Sequence, residues 1–201
     1  MANQRIGLFG GTFDPPHIGH LILAGEALSQ FQLSRLLWVL TPDPPHKPDN
    51  HITPLAHRLP MLQGMIAHNP SFELSRIEID RPGPHYTIDT VRLIAEQEPG
   101  AELFLLIGGD SLRDLPTWRL SADLVAAVSK IGVMRRPETV FDLAALEAKL
   151  PGVTDKVHFI DALMQPVSSS ELRRRIVSGE MYRYYVTPEV YDYIETNHLY
   201  R

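Results

Sequence analysis

The segment Gly10–His20 holds the residue types in this chain that are best suited to binding phosphate. It follows an apolar run and opens a helical pattern, so free backbone N–H groups and the positive end of a helix dipole meet there. Its glycines let the backbone approach an anion closely, and its two histidines, at positions i and i+3, fall on one helix face. We expect a phosphate site built from Gly10, Gly11, Thr12, Phe13, His17 and His20.

The spacing of this segment differs from the common phosphate-binding fingerprints. A P-loop requires G-x-x-x-x-G-K-[ST] and the dinucleotide fingerprint requires G-x-G-x-x-G, whereas the glycines here are Gly7, Gly10 and Gly11. Paired glycines alone are also typical of a tight turn, and two histidines alone could suggest a metal. A zinc site needs a third ligand, and the sequence shows no second pair of His, Asp or Glu at ligand spacing.

A second polar segment, Ser168–Arg173, opens a helical pattern near the end of the chain. A serine before a helix, with Glu171 soon after it, is typical of an N-cap. The same hydroxyls and first-turn N–H groups, with the cation of Arg173, could instead form a second phosphate clamp. Arg174 and Arg175 either extend that basic patch or form a solvated helix face. The clamp would use Ser168, Ser169, Ser170 and Arg173.

Short apolar runs alternate with helical patterns along the chain, which indicates an α/β fold: a doubly wound, mainly parallel sheet with helices on both faces. In such a fold the ligand lies at the carboxyl ends of the strands. Two longer linkers, Thr41–Thr53 and Asp80–His85, are the expected binding loops. The predicted strands are Arg5–Phe9, Arg35–Leu40, Phe72–Ile79, Glu102–Ile107, Lys130–Met134 and Val157–Ile160. The predicted helices run from about Gly19 to Gln30 and over Pro54–His68, Thr87–Glu98, Ser121–Val128, Phe141–Leu150, Ser169–Ser178 and Pro188–Asn197.

Composition narrows the function classes further. The chain has 201 residues, which we expect to form one domain over 1–201, with a C-terminal helical part from about residue 165. It has no cysteine, which excludes disulfides, thiolate zinc sites and cysteine nucleophiles. The formal net charge of -5 disfavours nucleic-acid binding. Because no signal-peptide pattern and no apolar run of membrane-spanning length is evident, we expect a cytoplasmic protein with no membrane partner.

The whole of Gly10–His20 resembles the G-x-F-D-P-x-H-x-G-H signature of the nucleotidyltransferase superfamily that carries the HIGH motif, and His17–His20 is literally H-I-G-H. Ser168–Arg173 is similar to the I-S-S-T-x-I-R motif of that superfamily, with Val167 in place of isoleucine and Ser170 in place of threonine. The resemblance implies a Rossmann-like nucleotidylyl transferase fold and attack on the α-phosphate of a nucleoside triphosphate, with pyrophosphate leaving. It gives catalytic roles to His17, His20 and Arg173.

Four further segments resemble the bacterial nicotinate-nucleotide adenylyltransferases, so that the resemblance runs from about Ile6 to Tyr200. Pro44–Lys47 matches P-P-H-K, and Tyr86–Thr90 matches S-Y-T-x-D-T with His85 in place of the common serine. Ile107–Ser111, followed by Trp118, matches I-G-x-D-x…W, and Val186–Tyr200 matches the V-P-x-V-x-x-Y-I…L-Y ending. This implies transfer of the adenylyl group of ATP to nicotinate mononucleotide, which gives nicotinate adenine dinucleotide and pyrophosphate in NAD biosynthesis.

The resemblance also implies roles for residues in the middle of the chain. Trp118, with Tyr86 near it, would stack on the pyridine ring, and backbone N–H groups around Thr87 and Trp118 would meet its carboxylate. Asp110 would accept hydrogen bonds from ribose hydroxyls, next to Gly108 at the ATP. Lys47 and Arg135 would supply positive charge to phosphates. Each has a plainer interpretation: Trp118 as a core residue, Asp110 as a helix cap, Lys47 and Arg135 as solvated cations.

Alternatives stay open on the acceptor and on catalysis. The same chemistry could prefer nicotinamide mononucleotide, and a nucleotide-binding regulator could have lost catalysis, although such a protein would not need His17, His20 and Arg173 together. We expect Mg²⁺ to be bound with ATP and without a dedicated protein site, and the protein to be a monomer or a weak homo-oligomer. The remaining histidines, His85 among them, receive no catalytic role.

Overall fold

The protein is described here from a computed structural model that covers residues 4–43, 52–134, 142–163 and 166–201. The strands are β1 (Arg5–Gly11), β2 (Arg35–Leu40), β3 (Phe72–Ser75), β4 (Glu102–Gly108), β5 (Lys130–Met134) and β6 (Val157–Ile160). They form one six-stranded sheet of order β3-β2-β1-β4-β5-β6, in which every neighbouring pair is parallel. The predicted α/β fold with a parallel sheet is confirmed.

Helices cover both faces of this sheet, and each face has its own apolar core. One core takes residues from the first two and last two helices, including Leu23, Met61, Leu172 and Ile194. The other takes residues from the five helices between them. The helices are α1 (Ile18–Gln30), α2 (Leu55–Ile66), α3 (Thr87–Gln97), α4 (Gly109–Asp114), α5 (Ser121–Ala127), α6 (Leu143–Lys149), α7 (Val153–Lys156), α8 (Ser169–Val177) and α9 (Pro188–Thr196).

After one charged residue at the start of each, the central strands β1, β2 and β4 carry no polar side chain, because they supply side chains to both cores. In β2, Leu36 and Trp38 face the first core, whereas Leu37 and Val39 face the second. Successive side chains of a strand point to opposite faces, so a run without polar alternation is what a fully covered sheet requires.

The sheet has a topological switch between β1 and β4. From β1 the chain proceeds outward through β2 and β3 to one edge, and from β4 it proceeds outward through β5 and β6 to the other. Connections therefore leave in opposite directions at this pair, which opens a crevice at the carboxyl ends of the two strands. The loop Gly10–His20 lies at this crevice.

The structure differs from the predicted elements at one strand and at two short helices. The third strand ends at Ser75, four residues before the predicted end, because the chain turns there: the Asp80 N–H donates to the Arg76 carbonyl at 2.9 Å. The short helices α4 and α7 were not predicted, because six and four residues are too few to show a helical period. Among the described residues, no helix has the length and apolar character needed to cross a bilayer.

Candidate active site

The loop after β1 is held in a fixed shape by its own histidines. His17 is the N-cap residue of α1, and its backbone N–H donates to His20 Nδ1 at 3.1 Å. The two imidazole rings stack with their centroids 3.7 Å apart. Because Nδ1 of His20 accepts this bond, the proton of the neutral ring is on Nε2, which makes Nε2 a donor. The predicted convergence of the two histidines is thus what the structure shows.

The segment Ser168–Arg173 packs directly on that loop. Ser168 caps α8 by accepting the Glu171 N–H at 3.3 Å, so the N-cap interpretation is confirmed. The next serine, Ser169, donates to the Pro15 carbonyl at 2.9 Å, and Arg173 donates to the Asp14 carbonyl at 2.6 Å. The two motifs, which lie near opposite ends of the sequence, therefore contact each other. The N-terminus of α8 faces the same space as the N-terminus of α1.

A cavity of about 700 Å³ lies between the two motifs. The ends of β4 and β5 complete it, through Gly108, Asp110 and Met134. Asp110 is exposed at the start of α4, 3.4 Å from the guanidinium of Arg113. Of the residues predicted to bind ATP, the walls contain Gly10, Thr12, Phe13, His17, His20, Gly108, Asp110, Ser168, Ser169, Ser170 and Arg173.

A smaller cavity of about 270 Å³ adjoins the first one and shares Gly10, Thr12 and Ser111 with it. Its walls are largely apolar and come from β1, β2, β4 and α3, with Thr87 and Trp118 among them, as predicted for the acceptor. Gly11, which we expected at the ATP, lines only this smaller cavity.

Two of its wall residues, Glu78 and His85, are polar and buried, and the sequence analysis gave neither a role. Tyr86 differs from expectation: it lines neither cavity and packs on the second core, under the guanidinium of Arg119 at 5.0 Å. A ring under a guanidinium, away from both cavities, does not support the predicted contact with the pyridine.

Asp14 connects the loop Gly10–His20 to three distant parts of the chain through hydrogen bonds. Its buried carboxylate accepts the Tyr200 hydroxyl at 2.7 Å and the Thr53 N–H at 3.1 Å, while its carbonyl accepts from Arg173. Burial, together with the Asp14 charge, raises the pKa of the Tyr200 phenol. Sequence reasoning missed Asp14 and Tyr200 as site residues, although both lie in segments matched to the family.

Arg58 supports the same loop from behind. It is 1% exposed, and its guanidinium donates to the carbonyls of Thr12, Thr41, Pro42 and Thr53 over 2.6–3.0 Å. Desolvation lowers the pKa of Arg58, and the nearby Asp14 charge opposes that shift. The sequence did carry one signal for it, since a lone arginine three residues after Leu55 falls on the apolar face of α2.

The other two arginines of α8 are paired with carboxylates; Arg174 is exposed, whereas Arg175 is half-buried, with its guanidinium 5.4 Å from the centre of the Tyr185 ring. Arg174 binds Glu171 and Glu180, and Arg175 binds Glu171. Hydrogen bonds from Arg174 lower the pKa of Glu171 to about 2. The interpretation as a solvated helix face fits Arg174, whereas Arg175 packs on Tyr185; of these three arginines, Arg173 lines the cavity.

Two predicted residues lie outside the described part of the chain. Lys47, with the P-P-H-K segment, falls in the gap 44–51, and Arg135 falls in the gap 135–141. Their roles stay predictions.

Comparisons with known proteins agree on one family. Residues 8–175 match the cytidylyltransferase-like family model. A probable nicotinate-nucleotide adenylyltransferase of Thermomicrobium roseum is 43% identical over 86% of this chain and 80% of its own. One from Roseiflexus sp. (strain RS-1) is 41% identical over the full length of both chains. A solved nicotinic acid mononucleotide adenylyltransferase of Plasmodium falciparum, complexed with NaAD, has the same fold, with a TM-score of 0.82 at 21% identity over 98% of both chains.

Proposed function

The chain belongs to the cytidylyltransferase-like family and, within it, to the nicotinate-nucleotide adenylyltransferases, and from this premise we propose how its site works. The enzyme transfers the adenylyl group of ATP to nicotinate mononucleotide, giving nicotinate adenine dinucleotide and pyrophosphate in NAD biosynthesis. We propose that the larger cavity binds ATP and the smaller one binds the pyridine ring of the acceptor.

The observation that carries this assignment is the junction of the two cavities at Gly10, Thr12 and Ser111. One cavity is lined by hydroxyls, two histidines and an arginine, as a triphosphate requires. The other is apolar and contains Trp118, as an aromatic ring requires. Because they meet at the carboxyl end of β1, the α-phosphate of one substrate and the 5′-phosphate of the other come together there.

The reaction is a single in-line displacement. The 5′-phosphate of the acceptor is largely dianionic at neutral pH, because its second pKa is near ~6, so it attacks without a general base. The protein has to align the two phosphates and stabilise the charge that develops on the triphosphate. His20 Nε2, the ring of His17, the guanidinium of Arg173 and the helix N-termini supply the donors.

Magnesium enters this scheme with ATP. Among the described residues, no group of three or more His, Asp or Glu side chains is placed to hold a metal ion by itself. Because Mg²⁺ bound with a nucleotide usually takes substrate phosphates as ligands, we propose that phosphate oxygens supply most of its coordination; Asp110 is an exposed carboxylate in the wall of the larger cavity. No step above depends on where the ion sits. We also keep 1–201 as one domain, and a cytoplasmic monomer or weak homo-oligomer, as predictions.

The acceptor is the finer part of the proposal. Thr87 and Trp118 lie in the wall of the smaller cavity, where backbone N–H groups can meet a ring carboxylate. Nicotinamide mononucleotide differs at that one substituent, so it remains the second candidate for the acceptor.

The test is an assay of pyrophosphate release with ATP, Mg²⁺ and each mononucleotide in turn. We expect release with nicotinate mononucleotide at a higher kcat/KM than with nicotinamide mononucleotide. Release with neither acceptor would contradict the proposed function and would favour a nucleotide-binding regulator.

A further inference from the structure

Two polar side chains in the wall of the smaller cavity are buried without full hydrogen bonding. Glu78 is 4% exposed and His85 is 6% exposed. Among the described residues, neither Glu78 Oε2 nor His85 Nδ1 has a hydrogen-bond partner. Unpaired polar atoms in an apolar wall cost free energy, so their presence in the wall of a binding cavity points to a ligand that completes their hydrogen bonds.

The other atoms of Glu78 are well fixed. Its Oε1 accepts the Thr90 hydroxyl at 2.6 Å, and Arg81 donates to the same hydroxyl at 3.2 Å. The carboxylate is thus held in place by α3 with one oxygen left over. It lies in a cavity whose other walls are mainly apolar, where a charge is poorly screened.

We infer that Glu78 and His85 together recognise the two charges of the acceptor ring. An N-ribosylated pyridine carries a positive charge on its ring nitrogen, and nicotinate adds a negative carboxylate on the ring. Glu78 stabilises the pyridinium cation, and His85 Nδ1 donates a hydrogen bond to the carboxylate. This inference rests on the proposed function, because it assigns the ring to the smaller cavity.

The opposite orientation is disfavoured by charge. It would put the ring carboxylate beside the carboxylate of Glu78 in an apolar cavity, where like charges repel strongly. Both unpaired atoms are covered in the structure, so their side chains must shift slightly as the ring enters. His85 closes the segment Asp80–His85, which the sequence predicted as a binding loop, and Gly83 and Pro84 precede it.

The two residues make different predictions, which allows them to be tested separately. Glu78→Gln keeps the acceptor for Thr90 and removes the charge, so it should lower kcat/KM about 10-fold with both mononucleotides, since both carry the pyridinium. It should also narrow the preference for oxidised over reduced nicotinamide mononucleotide, because the reduced ring is neutral.

His85→Leu should lower kcat/KM about 10-fold with nicotinate mononucleotide and leave the value for nicotinamide mononucleotide within about 2-fold, since a site that donates to the carboxylate loses only that contact. His85→Asn keeps a donor near the position of Nδ1 and should recover much of the loss. The KM for ATP should not change in any of these variants.

The experiment is steady-state pyrophosphate release by the full chain with ATP and each of the three mononucleotides. Glu73→Gln and His68→Asn make the same chemical changes on exposed residues and serve as matched controls. Two results would overturn the inference. One is a Glu78→Gln effect on kcat/KM with only one of the two oxidised mononucleotides. The other is a His85→Leu effect of equal size with nicotinate and nicotinamide mononucleotide.

Folding failure and failure of the proposed function are distinguished within the same set. The ratio of kcat/KM values for two acceptors is internal to each protein, so it can be measured on the folded fraction of a variant that melts at a lower temperature. If the unaltered enzyme uses neither mononucleotide, the proposed function fails. If the enzyme is active, but His85→Leu keeps the ratio of nicotinate to nicotinamide mononucleotide, or Glu78→Gln keeps both its kcat/KM values and its ratio of oxidised to reduced nicotinamide mononucleotide, only the inference fails.

Discussion

The two cavities of the active site are built in different ways. The larger cavity, to which we assign ATP, is formed by two short, contiguous motifs that contact each other directly, through Ser169 to Pro15 and Arg173 to Asp14. The smaller cavity, to which we assign the acceptor ring, is assembled from short stretches of three strands, from helices and from the loops between them. We therefore expect substitutions in the larger cavity to act mainly through lost stabilisation of phosphate charge. Substitutions in the smaller cavity should act through lost packing and contact with the acceptor ring.

The largest effect is expected at the histidine pair. His20→Ala removes the Nε2 donor from the triphosphate and should lower kcat about 100–1000-fold, the usual loss for one such donor. The ring is only partly buried, and the lost hydrogen bond from the His17 N–H should cost about 1 kcal/mol, so the melting temperature should fall by only a few degrees. Pyrophosphate release and a thermal melt measure both, and normal turnover in the folded variant would mean that the histidines do not stabilise the reaction.

The next largest effect is expected on stability, at the arginine that binds the loop Gly10–His20. Arg58→Met leaves four buried carbonyls without their donor and should lower the free energy of unfolding by about 3 kcal/mol. Urea denaturation measures it. Arg92→Met, which breaks only an exposed ion pair with Asp123, is the matched control and should cost less than about 1 kcal/mol. Equal losses in the two variants would show that the buried contacts add no stability.

On the acceptor side the effect should be smaller and confined to one substrate. Trp118→Ala removes a stacking surface and should raise the KM for nicotinate mononucleotide about 10-fold, with the KM for ATP unchanged. Trp118→Phe keeps an aromatic face and should recover most of the affinity. A rise in the KM for ATP instead would mean that Trp118 contacts ATP and would contradict its assignment to the acceptor ring.

The smallest effect is expected at the contact between the C-terminus and the loop Gly10–His20. Tyr200→Phe removes the hydroxyl that binds Asp14 and should cost about 1.5 kcal/mol of stability at neutral pH. The folded pKa of Tyr200 is raised, so its contribution is complete below the unfolded pKa of about 10 and is lost as the pH rises above it.

A pair of unfolding curves against pH tests this linkage. The unaltered protein should lose stability above about pH 10 more steeply than Tyr200→Phe does. Tyr184→Phe, at a tyrosine that is 78% exposed, should behave like the unaltered protein. Parallel curves for all three would contradict the role given to the Tyr200 hydroxyl.

The sequence predicted the two segments that meet at the larger cavity because the information in each segment is local. Adjacent glycines, histidines at i and i+3, and a capping serine each have a physical meaning within one turn of chain. The order of strands and helices was likewise readable, because a fully covered sheet forces continuous apolar runs such as Arg35–Leu40.

What the sequence could not show depends on contacts between distant residues. Asp14 and Tyr200 are 186 residues apart, and Arg58 binds carbonyls, which have no side-chain signature. From the sequence, Glu78 belonged to the predicted strand Phe72–Ile79 and His85 to a loop, and only their shared burial in one cavity wall sets them apart. Tyr86, an aromatic residue matched to the family, packs on the second core and lines neither cavity, and its contact with the pyridine stays a prediction.

The central claim is that His17 and His20 bind the triphosphate through hydrogen bonds during one in-line displacement and form no covalent bond to phosphorus. The configuration at the α-phosphorus tests this most directly. With one stereoisomer of ATP carrying sulfur on the α-phosphate, and nicotinate mononucleotide as acceptor, the product should show inversion at that phosphorus. Retention would mean two successive displacements through an adenylylated side chain and would contradict the account.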